Sequence, residues 1–271
     1  MAIARNQAHR LLGGSLRGGH RTQEWADPKR AGHEQTIVDS LWPHLPDLDG
    51  CVAVELGPGD ALNVSRKLLA EGCRRVWAVE PFATAALQAE DDGNRLRVAP
   101  VSVAEFDPGE PINLIISHDV LEHVDVPAAM RAAFDLLAPG GRFVSSVDLR
   151  GHNAFNKPQR PLDFLTCPDW LYRAMHSHIE TSNRVRPSEL LDAAEAAGFV
   201  VEATQPLDEV SDAYLDAVRP HLQPRYRTLS DDDLRPTQLV VALRRPLELG
   251  ASPAHAPSRP HAAAASVASA S

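Results

Sequence analysis

The chain is poor in several things, and each shortage closes off a class of protein. Cysteine occurs three times in 271 residues, at Cys51, Cys73 and Cys167, and never in CxxC spacing. An odd, scattered set of thiols argues against a disulfide framework or a thiolate zinc site and reads as a reducing, cytoplasmic setting. No apolar run approaches the roughly 20 residues that cross a bilayer, so no membrane is expected as a partner. The opening MAIARNQAHRLLGGSLRGGH is basic without a continuous apolar stretch of secretory type, which leaves an organelle transit peptide as the alternative location. Basic charge is short overall: 27 Lys and Arg stand against 36 Asp and Glu, a formal net of −9. Phosphate neutralisation needs a basic surface, so nucleic acid is not an expected partner. The remaining composition, 44% apolar and 23% charged, is ordinary for a globular chain with room for one large domain or two small ones.

What the chain does have is a regular alternation of short apolar runs and helical patterns. CVAVE (51–55) reads as a buried strand ending in Glu55. Gly57-Pro58-Gly59 then reverses the chain, and a helix from Ala61 points Leu62, Leu68 and Leu69 inward before Gly72. RRVWAVE (74–80), the run 96–101, INLIIS (112–117), RFVSSVDL (142–149), FVVEATQ (199–205) and QLVVALRR (238–245) read as further strands. Helices are predicted from Pro28 to Trp42, around 83–90, from Asp125 to Leu137, and over 187–197. This is an α/β pattern, a doubly wound sheet with its ligand crevice at the carboxyl ends of the strands. A Pro-rich, acidic insertion (206–237) separates the last two strands, so the final strand is expected to be antiparallel. Residues 1–27 read as a flexible basic segment, 28–248 as one domain, and 249–271 as a disordered tail without apolar periodicity.

A strand feeding a helix through a glycine turn presents backbone N–H groups to a nucleotide-like ligand. A dinucleotide fingerprint needs Gly or Ala at the sixth position of GxGxxG; counted from Gly57, that position is Leu62. Asp60 would also face a pyrophosphate, a like-charge contact costing on the order of 1–4 kcal/mol. A cationic ligand such as S-adenosylmethionine reverses that sign, and Glu55 and Asp60 suit it. Glu80, 21 residues after Gly59 at the next strand's end, is placed to accept ribose hydroxyls from either cofactor.

VAVELGPGD, VWAVEPF and LIISHDVLEHVDVPAAMRAAFDLLAPGGRFVSSVD together resemble the first, second and fourth-to-fifth strand motifs of the class I S-adenosylmethionine-dependent methyltransferases, over about residues 48–205. Ala61 replaces the usual third glycine, and Asn113 stands where the family commonly has Asp. The resemblance implies a Rossmann-like, seven-stranded sheet with a reversed last strand. It also implies methionine binding near Glu55, Gly57 and Gly59 and the ribose on Glu80. The adenine would lie near Ser102 in the Val101–Ala104 turn, with Ser117 and His118 closing the crevice. The acid common in the adenine turn is missing, and only Glu105 is near.

Methyl transfer to oxygen needs an in-line approach and usually a base. Candidates follow strand four (His118, Asp119, Glu122, His123) and strand five (Asp148, His152); His152 is the first choice and His123 the second. Read as a helix, Asp119, Glu122 and His123 share a face. That block resembles the ExxEH metal motif of small-RNA 3′-end and ubiquinone-pathway methyltransferases, an alternative to the metal-free reading. Residues 149–186 read as an acceptor lid, carrying Phe155, Phe164, Trp170 and Tyr172, with six Lys and Arg against three Asp and Glu. Such a lid suits a small polar or anionic acceptor: a sugar, glycoside or carboxylated natural product. Arg184 or Arg186 is expected to face it. A nicotinamide-dependent oxidoreductase and a non-catalytic, cofactor-binding partner subunit are the competing readings.

Overall fold

The computed structural model describes residues 35–36, 38–59, 62–152, 155–175 and 182–247. The expected basic segment, most of the helix from Pro28, Asp60 and the expected tail lie outside them.

Seven strands form one sheet in the order β3-β2-β1-β4-β5-β7-β6. They are β1 (Val52–Leu56), β2 (Arg75–Val79), β3 (Leu96–Ala99), β4 (Ile112–His118), β5 (Leu137–Asp148), β6 (Val200–Glu209) and β7 (Pro236–Arg244). The first five are parallel, and β7 runs antiparallel to both β5 and β6. The strand order reverses direction at β1 and β4, which is where such sheets bind ligands.

Alternation along each strand divides the core in two. On one face Val52, Val54, Ile115 and Phe143 pack with α3 (Val126–Leu136) and α5 (Pro187–Ala197) through Met130, Ala133, Leu190 and Ala194. On the other, Ala53, Leu114, Ile116 and Val144 pack with Leu41 and with Val64 and Leu68 of α1 (Asn63–Ala70). Ile112 and Ile115 share a face despite their odd spacing because the β4–β5 register shifts between Ile112 and Leu114. Asn113 sits at that irregularity, and its Oδ1 accepts from the Val52 N–H at 3.0 Å. The residue that departs from the family pattern therefore stitches β4 to β1.

Two expectations about element limits change. Strand five is expected over 142–149, yet β5 begins at Leu137 and runs through Pro139-Gly140-Gly141, because Leu137 already pairs with Ile112 and Gly140 bonds to Arg245. A side chain at Gly141 would put its Cβ 2.9 Å from the Ala138 carbonyl oxygen, so glycine serves close backbone approach there. Strand six also runs on into the insertion as far as Glu209; it tolerates Pro206 because it is an edge strand, and its register shifts at that point.

The lid and the insertion are one packing unit. Leu162, Phe164, Leu165 and Tyr172 from the lid pack with Leu215, Val218, Leu222, Tyr226 and Leu234 from the insertion. These residues come from the 3-10 turn Asp163–Thr166, α4 (Asp169–Met175), α6 (Asp212–Val218), α7 (Pro224–Arg227) and α8 (Asp231–Leu234), while α2 (Ala85–Gln88) lies apart after β2. Arg186 is the knot. Fully buried, it donates to the carbonyl oxygens of Leu149, Asp233, Leu234 and Pro236, tying the end of β5 to α8 and the start of β7.

Candidate active site

The glycine turn leaves β1 with Gly57 at φ +66° and Gly59 at φ +68°, left-handed conformations that favour glycine. A Cβ on Gly57 would fall 2.5 Å from Val120 Cγ2, whereas a Cβ on Gly59 would meet nothing within 4 Å. Backbone is therefore open to a ligand above Gly59. Glu80 follows β2 directly, buried, with Oε1 accepting from the Phe82 N–H at 3.0 Å and Oε2 without a partner among the described residues. An open glycine turn beside a buried carboxylate at the next strand's end is a fit for a ribose-bearing cofactor.

Other predicted residues are placed differently. Glu55 turns away from the turn into the start of α1, where its carboxylate accepts from both the N–H and the hydroxyl of Ser65. Burial pushes its pKa up to about 7, against the opposing pull of the two Ser65 hydrogen bonds. Its Oε2 is thus committed to the start of the helix, while Oε1 has no hydrogen bond among the described residues. Ser117 is buried in the sheet, its hydroxyl donating to Ser145 Oγ at 2.7 Å, so only its backbone is available at the crevice. Ser102 binds Glu105 through both N–H and hydroxyl, closing the short turn after β3 on itself.

The stretch Asp119 to His123 is not an α-helix. Asp119 takes a left-handed φ of +54°, and Leu121–His123 forms a single 3-10 turn. The expected grouping of Asp119 with Glu122 and His123 on one helix face is therefore not what forms. Asp119 Oδ1 instead accepts from Gln238 Nε2 at 2.8 Å and Ser146 Oγ at 3.4 Å, bridging β4 to β5 and β7. Its other oxygen lies 3.4 Å from His118 Nε2.

His152 takes the vacated place. Ligand atoms of Glu122, His123 and His152 lie within 4.8 Å of one another, and the two imidazole rings are 5.0 Å apart. His152 Nε2 is 3.3 Å from Asp148 Oδ2, at the carboxyl end of β5. Arg150 grips the same carboxylate through two nitrogens, at 2.8 and 2.9 Å. Burial pushes the Asp148 carboxyl up, but the nearby His152 imidazole, which stands 3.3 Å away outside hydrogen-bonding geometry, and the bonds from Arg150 outweigh it and hold the group well below the usual carboxylate range. Glu122 is the opposite case. It is 1% exposed with neither carboxylate oxygen in hydrogen-bonding geometry, and burial, then the charges of Asp119 and Asp148, drive its pKa well up.

Asn183 was not singled out from the sequence. Its N–H donates to the Glu122 carbonyl, and its side-chain amide donates to the carbonyls of Leu121 and Val124, fixing the turn that carries Glu122 and His123. The spacing Asp148-x3-His152 was a usable signal for the Asp–His pair; nothing local to Asn183 marks its role.

A family model described as a methyltransferase domain matches residues 22–204, more than half of the chain. The chain belongs to the class I S-adenosylmethionine-dependent methyltransferase family, and the enzyme class is methyltransferase with S-adenosylmethionine as cofactor. Solved structures agree on the fold. An S-adenosylmethionine-dependent methyltransferase from Mesorhizobium loti is 21% identical with a TM-score of 0.51, over 76% of this chain and 96% of its own. A Burkholderia thailandensis 1,6-didemethyltoxoflavin-N1-methyltransferase is 19% identical with a TM-score of 0.50, over 90% and 87%. A Haemonchus contortus phosphoethanolamine N-methyltransferase is 16% identical with a TM-score of 0.52, over 78% and 52%. Curated protein sequences give no match to this chain. Among the described residues no helix is long and apolar enough to cross a membrane.

Proposed function

We propose that the protein O-methylates a hydroxyl of a small molecule, such as a sugar, glycoside or hydroxylated natural product, with His152 as the base. The observation that carries this is the Asp148–His152 pair at the end of β5, with His123 beside it. An oxygen nucleophile needs a proton acceptor near neutral pH, and a histidine oriented by a carboxylate supplies one. When bound, S-adenosylmethionine supplies an electrophilic methyl group on a sulfonium sulfur. Gly57, Gly59 and Glu80 hold that cofactor, with Ser102 and His118 around it; Glu55 and Ser117 contribute by fixing α1 and the end of β4. Arg150 and Asp148 hold His152 in place, and the His152 ring would accept the acceptor's proton as its oxygen bonds to the methyl carbon and that carbon's bond to sulfur breaks, leaving the neutral thioether. His123 lies against that ring and orients the acceptor.

His152→Ala is expected to cut turnover by about 10²-fold or more while leaving cofactor affinity intact. Unchanged turnover, measured with labelled cofactor on an accepted substrate, removes His152 from the mechanism.

One observation favours a second reading. The buried, hydrogen-bond-free Glu122 carboxylate beside two imidazoles is a donor set for a divalent cation, which would hold the acceptor hydroxyl in place of a base. Full activity in excess chelator would exclude it; loss restored by Mg²⁺, Mn²⁺ or Zn²⁺, and abolished by His123→Ala, would establish it.

A further inference from the structure

A cavity of about 280 Å³ opens between the lid and the insertion, lined by Asp169, Tyr172, Arg173, Asn183, Arg184 and Arg225. That volume is at the small end for ligand sites, enough for one functional group and its neighbours. Among the described residues three guanidiniums face a single carboxylate in it, in a chain whose formal charge is −9.

The three arginines differ in how they are held. Arg184 is built in. It is 5% exposed at a left-handed φ of +65°, its guanidinium lies 4.0 Å from the centre of the Tyr172 ring, and it donates to the Cys167 carbonyl. A non-glycine residue in that conformation persists only where its surroundings impose it. Its remaining partner is Asp169 Oδ1 at 2.6 Å, a side chain that is half exposed. The cavity thus already receives one carboxylate, from the protein itself. Arg225 stacks on the Tyr226 ring at 4.3 Å and bonds its hydroxyl. Neither Arg173 nor Arg225 has an ion-pair partner within 4 Å among the described residues, so both charges are available to a ligand. Asn183 connects this wall to chemistry, since it both lines the cavity and fixes the turn bearing Glu122 and His123.

We propose that this cavity binds the anionic group, a carboxylate or phosphate ester, of the methyl acceptor. The proposal rests on the methyltransferase reading and narrows its substrate class from neutral or anionic to anionic. Guanidiniums recognise both groups through paired, charge-assisted hydrogen bonds.

Calorimetric titration of the full chain with inorganic phosphate and with malonate tests the site directly. Saturable one-to-one binding of at least one ion is expected. The exposed pair Arg173→Gln with Arg225→Gln should weaken it about tenfold or more, and Asp169→Asn should strengthen it by removing the competing carboxylate. Unchanged thermal melting of the variants would show that the fold is kept. No saturable binding, or equal affinity in the double variant, overturns the site. Its use by the acceptor is tested with hydroxylated molecules supplied in pairs, with and without a carboxylate or phosphate ester. Anionic members should be methylated preferentially, and Arg225→Gln should raise KM about tenfold or more with kcat within about twofold. Equal turnover of neutral members overturns the acceptor assignment. Ion binding without methylation of any pair would count against the methyltransferase reading and leave the anion site standing, so the two ideas fail separately.

Discussion

Glu55 offers the sharpest quantitative test, because the carboxylate expected at the ligand is buried against α1 and its pKa is raised from 4.5 to about 7. The folded protein therefore keeps a proton on Glu55 that the unfolded chain has released. Over the window from about 4.5 to 7 the folded state binds more protons, so stability falls as pH rises. The difference corresponds to about 3 kcal/mol, fully absent below the window and fully developed above it. Glu55→Gln removes the titration but keeps an oxygen to accept from the Ser65 N–H and hydroxyl. The new amide N–H₂ lacks a partner and costs about 1 kcal/mol at every pH. Urea unfolding at pH 5, 6, 7 and 8 should then show a variant near or slightly below the parent at pH 5 and about 2 kcal/mol above it at pH 8. Glu122 has a pKa shifted the same way and tilts the parent's curve too, but it cancels in the difference between the two proteins. Parallel curves would refute the reasoning, since they would mean that Glu55 ionises equally easily in both states.

Two further perturbations follow from named contacts. Gly57→Ala places a Cβ 2.5 Å from Val120 Cγ2 at a φ of +66°, and should destabilise the protein by about 1–3 kcal/mol and weaken S-adenosylmethionine binding. Adding Val120→Ala should recover the contact part of that loss but not the conformational part, as read from thermal melts with and without cofactor. Arg186→Met should cost about 3 kcal/mol or more in urea unfolding, because it leaves the carbonyls of Leu149, Asp233, Leu234 and Pro236 without their donor. Arg186→Lys should not rescue it, since one ammonium cannot span carbonyls that a planar fork reaches together.

What could be read in the sequence was what depends on near neighbours. The strand at 51–55, its glycine turn, Glu80 at the next strand end and the reversed final strand all follow from periodicity and punctuation, and the family motifs sharpen them. The failures share a cause: residues whose partners lie far away in the chain. Asp119 looks like the first ligand of a helical motif until Gln238, 119 residues on, takes its oxygen. Ser117 looks like a crevice hydroxyl until Ser145 is brought across from the next strand. Gly140-Gly141 looks like a stop because a glycine pair usually is one, whereas here Arg245, just past β7, continues the pairing across it. His152 was legible as a candidate base, but its meeting with His123 and Glu122 depends on how β4 and β5 end side by side.

The basic lid shows why counting charge along a segment misjudges a pocket. Of its six Lys and Arg, Arg150 is held by Asp148, Lys157 and Arg160 lie against Asp163, and Arg184 pairs with Asp169. Arg186 is buried beneath the surface among carbonyls, where burial lowers its pKa to about 10 while the Asp233 charge opposes the shift. Of the six, Arg173 alone lines the cavity without an acidic partner among the described residues. The second unpaired charge, Arg225, comes from the insertion, a stretch that the sequence makes acidic overall. Composition counted along the lid thus misplaces the positive charge, because most of it is already paired or buried. The positive cavity is made by α4 and α7 meeting over the shared core of Tyr172, Leu222 and Tyr226, not by the lid alone. It follows that shortening the insertion should alter acceptor recognition as strongly as changing the lid, although the insertion carries none of the residues proposed to hold the cofactor or act as the base.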